Sequence, residues 1–178
     1  MTHPDIERVL LGEAEIQARI KELGQTISRD YAGRRLLLVG ILKGSVVFLS
    51  DLLRSAALDC EVDFMCVSSY SGSGSTGQVR VLLDLRESAD GKDLLIVEDI
   101  MDTGLTLHYL LENLKTRNPR SIEVCVLLDK PQCRQVPVKA KYTGFQIPNA
   151  FVVGFGLDYN ERYRQLPFVG VLREEVCC

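Results

Sequence analysis

Short apolar runs alternate along the chain with segments in which apolar residues recur every three or four positions. The runs that predict strands lie at residues 35–41, 61–67, 79–85, 93–97 and 121–128. Helical spacing is found at residues 13–29, 46–56 and 104–117, and shorter strands and turns follow residue 140. Nearly continuous apolar strands that alternate with helices predict an α/β fold, with a mostly parallel twisted sheet covered by helices on both faces.

Length and composition restrict the classes of protein that this chain can represent. Its 178 residues suit a single domain, 46% of them are hydrophobic, and the net charge is -3. The acidic balance argues against nucleic acid as a partner, and no apolar run approaches the roughly 20 residues of a membrane span. The first residues lack the basic start and apolar middle of a signal peptide, so a cytoplasmic protein is predicted. The six cysteines form no C-x-x-C pair, so a zinc site has little support.

The segment LLIVEDIMDTGLTL, residues 94–107, combines an acid cluster with the start of a helix. Glu98 and Asp99 directly follow an apolar run, and Asp102 follows three residues later, before the small turn Thr103–Thr106. The carboxyl ends of strands are where open α/β sheets bind ligands. Backbone N–H groups at a helix start attract a small anion, while the acids could bind sugar hydroxyls, a magnesium ion or a proton. Each acid or threonine alone could be a cap or a solvated turn residue, but together they predict a phosphorylated sugar or nucleotide as ligand.

Two glycine-containing segments match phosphate-binding motifs only in part. GSGSTG at residues 72–77 has the G-x-G-x-x-G spacing, but an apolar strand pattern follows it where a dinucleotide site requires a helix. It is interpreted as a mobile loop, with a length and composition that also suit a lid. GILKGS at residues 40–45 lacks the P-loop spacing, and an anion site and a simple turn remain equally open there.

The motif VEDIMDTGLT, which contains these acids, resembles the signature of the type I phosphoribosyltransferases, which bind phosphoribosyl pyrophosphate. Four further segments resemble the hypoxanthine-guanine phosphoribosyltransferase family in order and spacing: LVGILKGS (38–45), SSY (68–70), VLLDKP (126–131) and FVVGFGLDYNERYR (151–164). The resemblance covers nearly the whole chain. Leu105 departs from it where some relatives carry lysine, and Ser45 where some carry a second glycine.

The resemblance implies one phosphoribosyltransferase domain over residues 1–178, with a core of about residues 30–150 and a small hood built from the chain ends. It implies that Asp102 is the general base or acid at purine N7. Ribose and 5′-phosphate would be bound by Glu98, Asp99, Asp102, Thr103, Gly104, Leu105 and Thr106. Pyrophosphate would be bound by Lys43, Gly44 and Arg164, with a cis peptide bond before Lys43. Ser69 and Tyr70 would belong to the lid. The purine would be bound by Lys130, Phe151, Val152 and Asp158, and Mg²⁺ by Glu98, Asp99 and Asp158.

The function implied by the resemblance is purine salvage. The phosphoribosyl group of phosphoribosyl pyrophosphate would pass to hypoxanthine or guanine in a Mg²⁺-dependent reaction, giving IMP or GMP and pyrophosphate, in a homodimer or homotetramer. An RNA-binding regulatory relative with uracil phosphoribosyltransferase activity is the alternative, and a structural homologue with little turnover is a third reading. Lys130 and residues 151–164 favour the purine enzyme, and the intact Asp102 argues against the third reading.

Overall fold

The computed structural model describes residues 3–69 and 79–177. Its strands are β1 (Ile6–Leu11), β2 (Leu36–Leu42), β3 (Glu61–Ser69), β4 (Val79–Leu83), β5 (Asp93–Met101), β6 (Ser121–Asp129), β7 (Tyr142–Gln146), β8 (Val152–Val153) and β9 (Val169–Leu172). Its helices are α1 (Glu13–Asp30), α2 (Val46–Ser55), α3 (Leu105–Lys115) and the short α4 (Glu174–Cys177), with a 3-10 turn at Pro131–Cys133. None of these helices is long and apolar enough to cross a membrane.

A six-stranded sheet in the order β4-β3-β2-β5-β6-β7 forms the centre of the fold. All neighbouring strands run parallel except β4, which is antiparallel to β3. The predicted α/β architecture is therefore confirmed. Several predicted strand boundaries differ by one or two residues, and the largest difference is at β5, which continues four residues beyond Val97. Hydrogen bonding to β6 carries it on, with Glu98 opposite Val126 and Met101 opposite Asp129.

Both faces of this sheet are covered by helices, because successive side chains of a strand point to opposite faces. Alternate strand residues such as Leu38 and Leu95 pack with the apolar faces of α1 and α2. The residues between them, such as Leu37 and Leu94, pack instead with α3. Because β2, β5 and β6 pair in parallel, their carboxyl ends lie side by side at one edge of the sheet.

A second, antiparallel sheet has the order β1-β9-β8 and joins the two ends of the chain. The sequence pattern missed β1, because four of its six residues are charged or at least partly exposed and the run does not alternate regularly. Its partner β9 is wholly buried, and this tertiary contact makes the strand. The hydroxyl of Tyr163 donates a hydrogen bond of 2.6 Å to Asp5, which further ties the carboxyl-terminal half to the beginning of the chain.

Candidate active site

The acids at the end of β5 are half-buried and lie on opposite faces of the strand. Glu98 lines a cavity of about 100 Å³ together with Asp102, Thr103, Gly104 and Thr106. Asp99 instead faces Gly44, where a Cβ atom would lie only 1.7 Å from the Asp99 carboxylate. Gly44 is therefore the residue that lets the loop after β2 approach this acid. Gly156 approaches the same loop, since a Cβ there would lie 2.2 Å from the Gly44 carbonyl oxygen.

The surroundings of both acids disfavour their charged forms. Burial raises the pKa of Glu98 well above its usual 4.5, and the neighbouring Asp99 carboxylate raises it further. Burial also raises the pKa of Asp99, from 3.8 to about 6, while the Ile100 amide and the Arg164 guanidinium act in the opposite direction. One oxygen of Glu98 is buried and has no hydrogen-bond partner among the described residues. Two adjacent acids in this state would gain from a cation or from donating hydroxyl groups.

The loop between β5 and α3 has the shape of a small anion site. Gly104 adopts a left-handed conformation with φ of 83°, which a residue with a side chain would adopt only under strain. Its carbonyl accepts the first hydrogen bond of α3, from His108 at 2.8 Å. The amide of Leu105 is turned toward the Thr103 hydroxyl at 3.4 Å. Backbone N–H groups and hydroxyls thus meet at the positive end of a helix, as a phosphate requires.

Asp102 and Lys130 meet beside this loop. The Lys130 amine lies 3.6 Å from the Asp102 carboxylate, and the side chain of Asp102 is 48% exposed. Lys130 itself is 7% exposed, so it is not the ordinary surface lysine that its position before Pro131 would allow. A buried lysine beside a half-exposed carboxylate is a pair that can donate to one atom of a ligand and accept from another.

Lys43 and Arg164, the two charged residues predicted to bind pyrophosphate, share an acidic neighbour that the sequence pattern did not single out. Glu161 lies 3.1 Å from the Lys43 amine and 3.3 Å from the Arg164 guanidinium. Arg164 also contacts Asp158 at 2.9 Å and donates to the Gly156 carbonyl at 2.9 Å. The peptide bond before Lys43 is cis, as the resemblance implied. Glu161 lies between Asp158 and Arg164 in the chain, and that position was the one available signal for it.

The remaining predicted residues that the structure describes lie around the second sheet and at the end of β3. Phe151 is 49% exposed and contacts Tyr159 edge to face at 5.5 Å, so it is not a core residue. Val152 is buried in β8, where it pairs with Val171. Ser69 ends β3 opposite Val79, whereas Tyr70 and the rest of the predicted lid to residue 78 lie outside the described residues.

Known proteins match this chain over nearly its whole length. The family model for the phosphoribosyl transferase domain matches residues 11–160. The hypoxanthine-guanine phosphoribosyltransferase of Bacillus subtilis is 49% identical over 177 residues, which are 99% of this chain and 98% of that protein. A crystal structure of a hypoxanthine phosphoribosyltransferase from Staphylococcus aureus has a TM-score of 0.95 at 49% identity, covering 99% of this chain and 96% of that one.

A longer relative contains the same unit as one of its parts. The bifunctional protein TilS/HprT of Listeria monocytogenes is 49% identical over 175 residues, and the chain spans 27% of its length. A family model over most of the chain, and relatives near half identity along all of it, lead to one conclusion. The chain belongs to the phosphoribosyl transferase domain family and, within it, to the hypoxanthine-guanine phosphoribosyltransferases.

Proposed function

We propose that this protein transfers the phosphoribosyl group of phosphoribosyl pyrophosphate to hypoxanthine or guanine, giving IMP or GMP and pyrophosphate. The observation that carries the proposal is the meeting of buried Lys130 with Asp102, 3.6 Å apart, beside the left-handed loop that begins α3. A purine with a 6-oxo group needs a donor at that oxygen and an acceptor at N7, and these two side chains supply both. The loop supplies the site for the 5′-phosphate.

The residues around this pair divide the substrate among them. Thr103, Gly104, Leu105 and Thr106 bind the 5′-phosphate with backbone N–H groups and hydroxyls at the helix start. Glu98 and Asp99 hold the ribose hydroxyls. The half-exposed ring of Phe151 stacks on the purine, and the Val152 backbone borders its edge.

Chemistry in this site follows the movement of charge. As the bond from the anomeric carbon to pyrophosphate breaks, negative charge develops on the leaving group, and Lys43 and Arg164 stabilise it. Both cations exchange their contacts with Glu161 for contacts with pyrophosphate. Asp102 accepts the proton from purine N7 as N9 attacks the anomeric carbon. Ser69 and Tyr70, on the proposed lid, keep water from the reacting carbon.

Glu98, Asp99 and Asp158 are the residues that would hold Mg²⁺. The buried, unpartnered oxygen of Glu98 and the raised pKa values of Glu98 and Asp99 fit a cation nearby. No described group of three or more acidic, histidine or cysteine side chains is arranged to hold a metal alone. Proteins commonly hold Mg²⁺ through one or two carboxylates together with substrate phosphates. When bound, it would neutralise charge on the pyrophosphate.

The assay that tests this proposal measures pyrophosphate release. The protein is incubated with Mg²⁺ and phosphoribosyl pyrophosphate and, separately, with hypoxanthine, guanine, xanthine, adenine and uracil. Release with hypoxanthine or guanine is expected. No release with either base would overturn the proposal, and release with uracil alone would favour the regulatory relative. We propose further that the chain forms one domain and acts in the cytoplasm as a homodimer or homotetramer. Light scattering can test the oligomeric state.

A further inference from the structure

We propose that Arg134 is a positioning residue of this site, which holds the loop after β5 against the end of β6 and thereby sets Asp102 against Lys130. Its consequence for turnover rests on the proposed function, whereas its consequence for the loop does not. Arg134 lies just beyond the 3-10 turn, and no pattern in the sequence separates it from the other arginines.

The guanidinium of Arg134 joins two elements. One of its nitrogens donates to the carboxylate of Asp129, the last residue of β6, and another donates to the backbone carbonyl of Asp102. The side chains of Arg134 and Asp129 are only 16% and 11% exposed. A guanidinium is planar and presents its donors in a fixed geometry, so bonds to two partners fix the distance between them.

Neighbouring backbone contacts hold the same loop from the same side. The amide of Gln135 donates to the Thr103 carbonyl at 2.9 Å, and the amide of Lys130 donates to the Met101 carbonyl at 2.9 Å. The carbon stem of Arg134 lies under Gly104, where a Cβ atom would be 3.1 Å from its Cδ. Among the described residues, Arg134 is the one side chain that donates a hydrogen bond to the backbone carbonyl of Asp102.

The residues that Arg134 joins flank the proposed chemistry. Asp129 directly precedes Lys130, and the carbonyl that accepts the other hydrogen bond belongs to Asp102. The Arg134 guanidinium therefore contacts the backbone of Asp102 and the neighbour of Lys130, whose amine lies 3.6 Å from the Asp102 carboxylate. Displacement of a reacting group by about 1 Å can lower a rate roughly a hundredfold. Loss of the guanidinium is therefore expected to impair turnover beyond any loss of stability.

A matched control exists at the opposite end of the same two strands. Arg120, just before β6, donates to the fully buried Asp93, the first residue of β5, with one contact at 3.0 Å. Arg120→Met and Arg134→Met each remove an arginine from a well-buried aspartate at the β5–β6 pair. Both variants are expected to lower the melting temperature, but only Arg134 lies near the site.

Kinetics and hydrogen exchange together test the proposal. Arg134→Met is expected to lower kcat and to raise the KM for phosphoribosyl pyrophosphate, with kcat/KM down about tenfold to a hundredfold. Arg120→Met is expected to keep both constants, and Arg134→Lys to recover part of kcat/KM, because one ammonium can replace one of the two contacts. Kinetics of Arg134→Met that match those of Arg120→Met would overturn the proposal.

Hydrogen exchange separates this inference from the proposed function. In Arg134→Met the amides of residues 102–106 are expected to exchange faster than in the wild type, while those of residues 124–127 in β6 keep their rates. Arg120→Met should leave residues 102–106 unchanged. If the wild type released no pyrophosphate, the proposed function would fail and the exchange result would still decide the role of Arg134. Equal exchange of the loop in the two variants would overturn that role.

Discussion

Lys130 and Asp102 have surroundings that assign them different tasks although they lie 3.6 Å apart. Lys130 is held in the protein interior, where its amine can point at only a few atoms, whereas Asp102 is half-exposed and accessible to a ligand. A buried amine that has lost water gains most from a hydrogen bond to a ligand acceptor. Separate variants of the two residues should therefore affect different constants.

Asp102→Asn should lower kcat far more than it weakens the binding of phosphoribosyl pyrophosphate. The amide keeps the size of the side chain but cannot accept the purine proton, and general base catalysis contributes roughly 10²–10⁴-fold. Steady-state kinetics and direct binding of phosphoribosyl pyrophosphate measure the two effects. Asp90→Asn is the control, since Asp90 accepts a bond from Asn118 on the surface at the opposite end of the sheet. Equal losses in kcat and in affinity would make Asp102 a binding residue instead.

Lys130→Gln should relax the preference for 6-oxo purines over adenine. A hydrogen bond from a charged donor contributes about 1.5–3 kcal/mol, which corresponds to roughly tenfold to a hundredfold in the ratio of kcat/KM for hypoxanthine and adenine. Lys92→Gln is a matched control, because Lys92 is also buried but pairs with Glu61 at the amino end of the strands. An unchanged ratio in Lys130→Gln would place the specificity elsewhere.

At the scale of elements, β5 and α3 position the acids Glu98 and Asp99 and the loop of residues 102–104 that joins the two elements. The ladder with β6 continues to Met101, so Glu98 and Asp99 belong to a strand and their directions are set by its pleat. Glu98 therefore faces the loop that begins α3, and Asp99 faces Gly44. This arrangement desolvates both carboxylates, and their raised pKa values should affect stability.

The ionisation of buried Asp99 should destabilise the folded protein as the pH rises, and Asp99→Asn should remove this loss of stability. The folded-state pKa of Asp99, about 6, lies above the 3.8 of the unfolded chain, so the folded state binds more protons between these values. Asp99 thus lowers the free energy of unfolding progressively from about pH 4 to 6, and by about 3 kcal/mol in all at 1.36 kcal/mol per pKa unit. Urea unfolding without Mg²⁺ measures this effect. The free energy of unfolding of the variant, relative to that of the wild type, should be higher at pH 7.5 than at pH 4.5.

The opposite sign is expected for an acid whose pKa is lowered. A hydrogen bond from Lys92 lowers the pKa of Glu61, so Glu61 adds stability that appears as pH rises and is lost on acidification. The wild type should accordingly lose stability relative to Glu61→Gln as the pH falls below about 4.5, the ordinary pKa of a glutamate. If Asp99→Asn and Glu61→Gln changed in the same direction, the pKa of Asp99 would not be raised in the folded state.

At the scale of the molecule, two sheets share the candidate site. The central sheet contributes the acids, Lys130 and the loop that begins α3, while Phe151 and Val152 come from the chain around β8. The small sheet is closed by β1 from the beginning of the chain, and the hydroxyl of Tyr163 reaches Asp5 beside it. Stability of the small sheet therefore depends on contacts between distant parts of the sequence.

Tyr163→Phe should loosen the small sheet and spare the central one. One hydrogen bond to a carboxylate is removed, which contributes about 1.5–3 kcal/mol. Amide hydrogen exchange should become faster in β1 and β9 but not in β5. Tyr142→Phe is the matched control, because the Tyr142 hydroxyl donates to Asp30 at 2.7 Å beside the central sheet. Faster exchange throughout the molecule in Tyr163→Phe would show that the sheets unfold as one unit.

Sequence patterns anticipated most of the elements of the fold and named residues that the structure brings together in the candidate site. Periodicity alone indicates α1, α2 and α3 and the strands between them, because each element buries a regular set of apolar side chains. It ended β5 at Val97 and missed β1, since both stretches mix charged and apolar residues without a regular period and are held by pairing with a distant strand. The family motifs supplied Lys130 and Phe151, which no local pattern distinguishes from a surface lysine and a core aromatic.

By itself, the sequence determined the order of the three long helices and of most strands in the central sheet, the acid cluster before α3, and the family. These depend on local spacing and on motifs that can be read along the chain. Only the tertiary structure decided how the acids divide between the faces of β5, how deeply Lys130 is buried, and which side chains support the site. Glu161 and Arg134 have partners 118 and 32 residues away. Their contacts arise when the loops at the carboxyl edge of the sheet pack together, and no local pattern encodes that meeting.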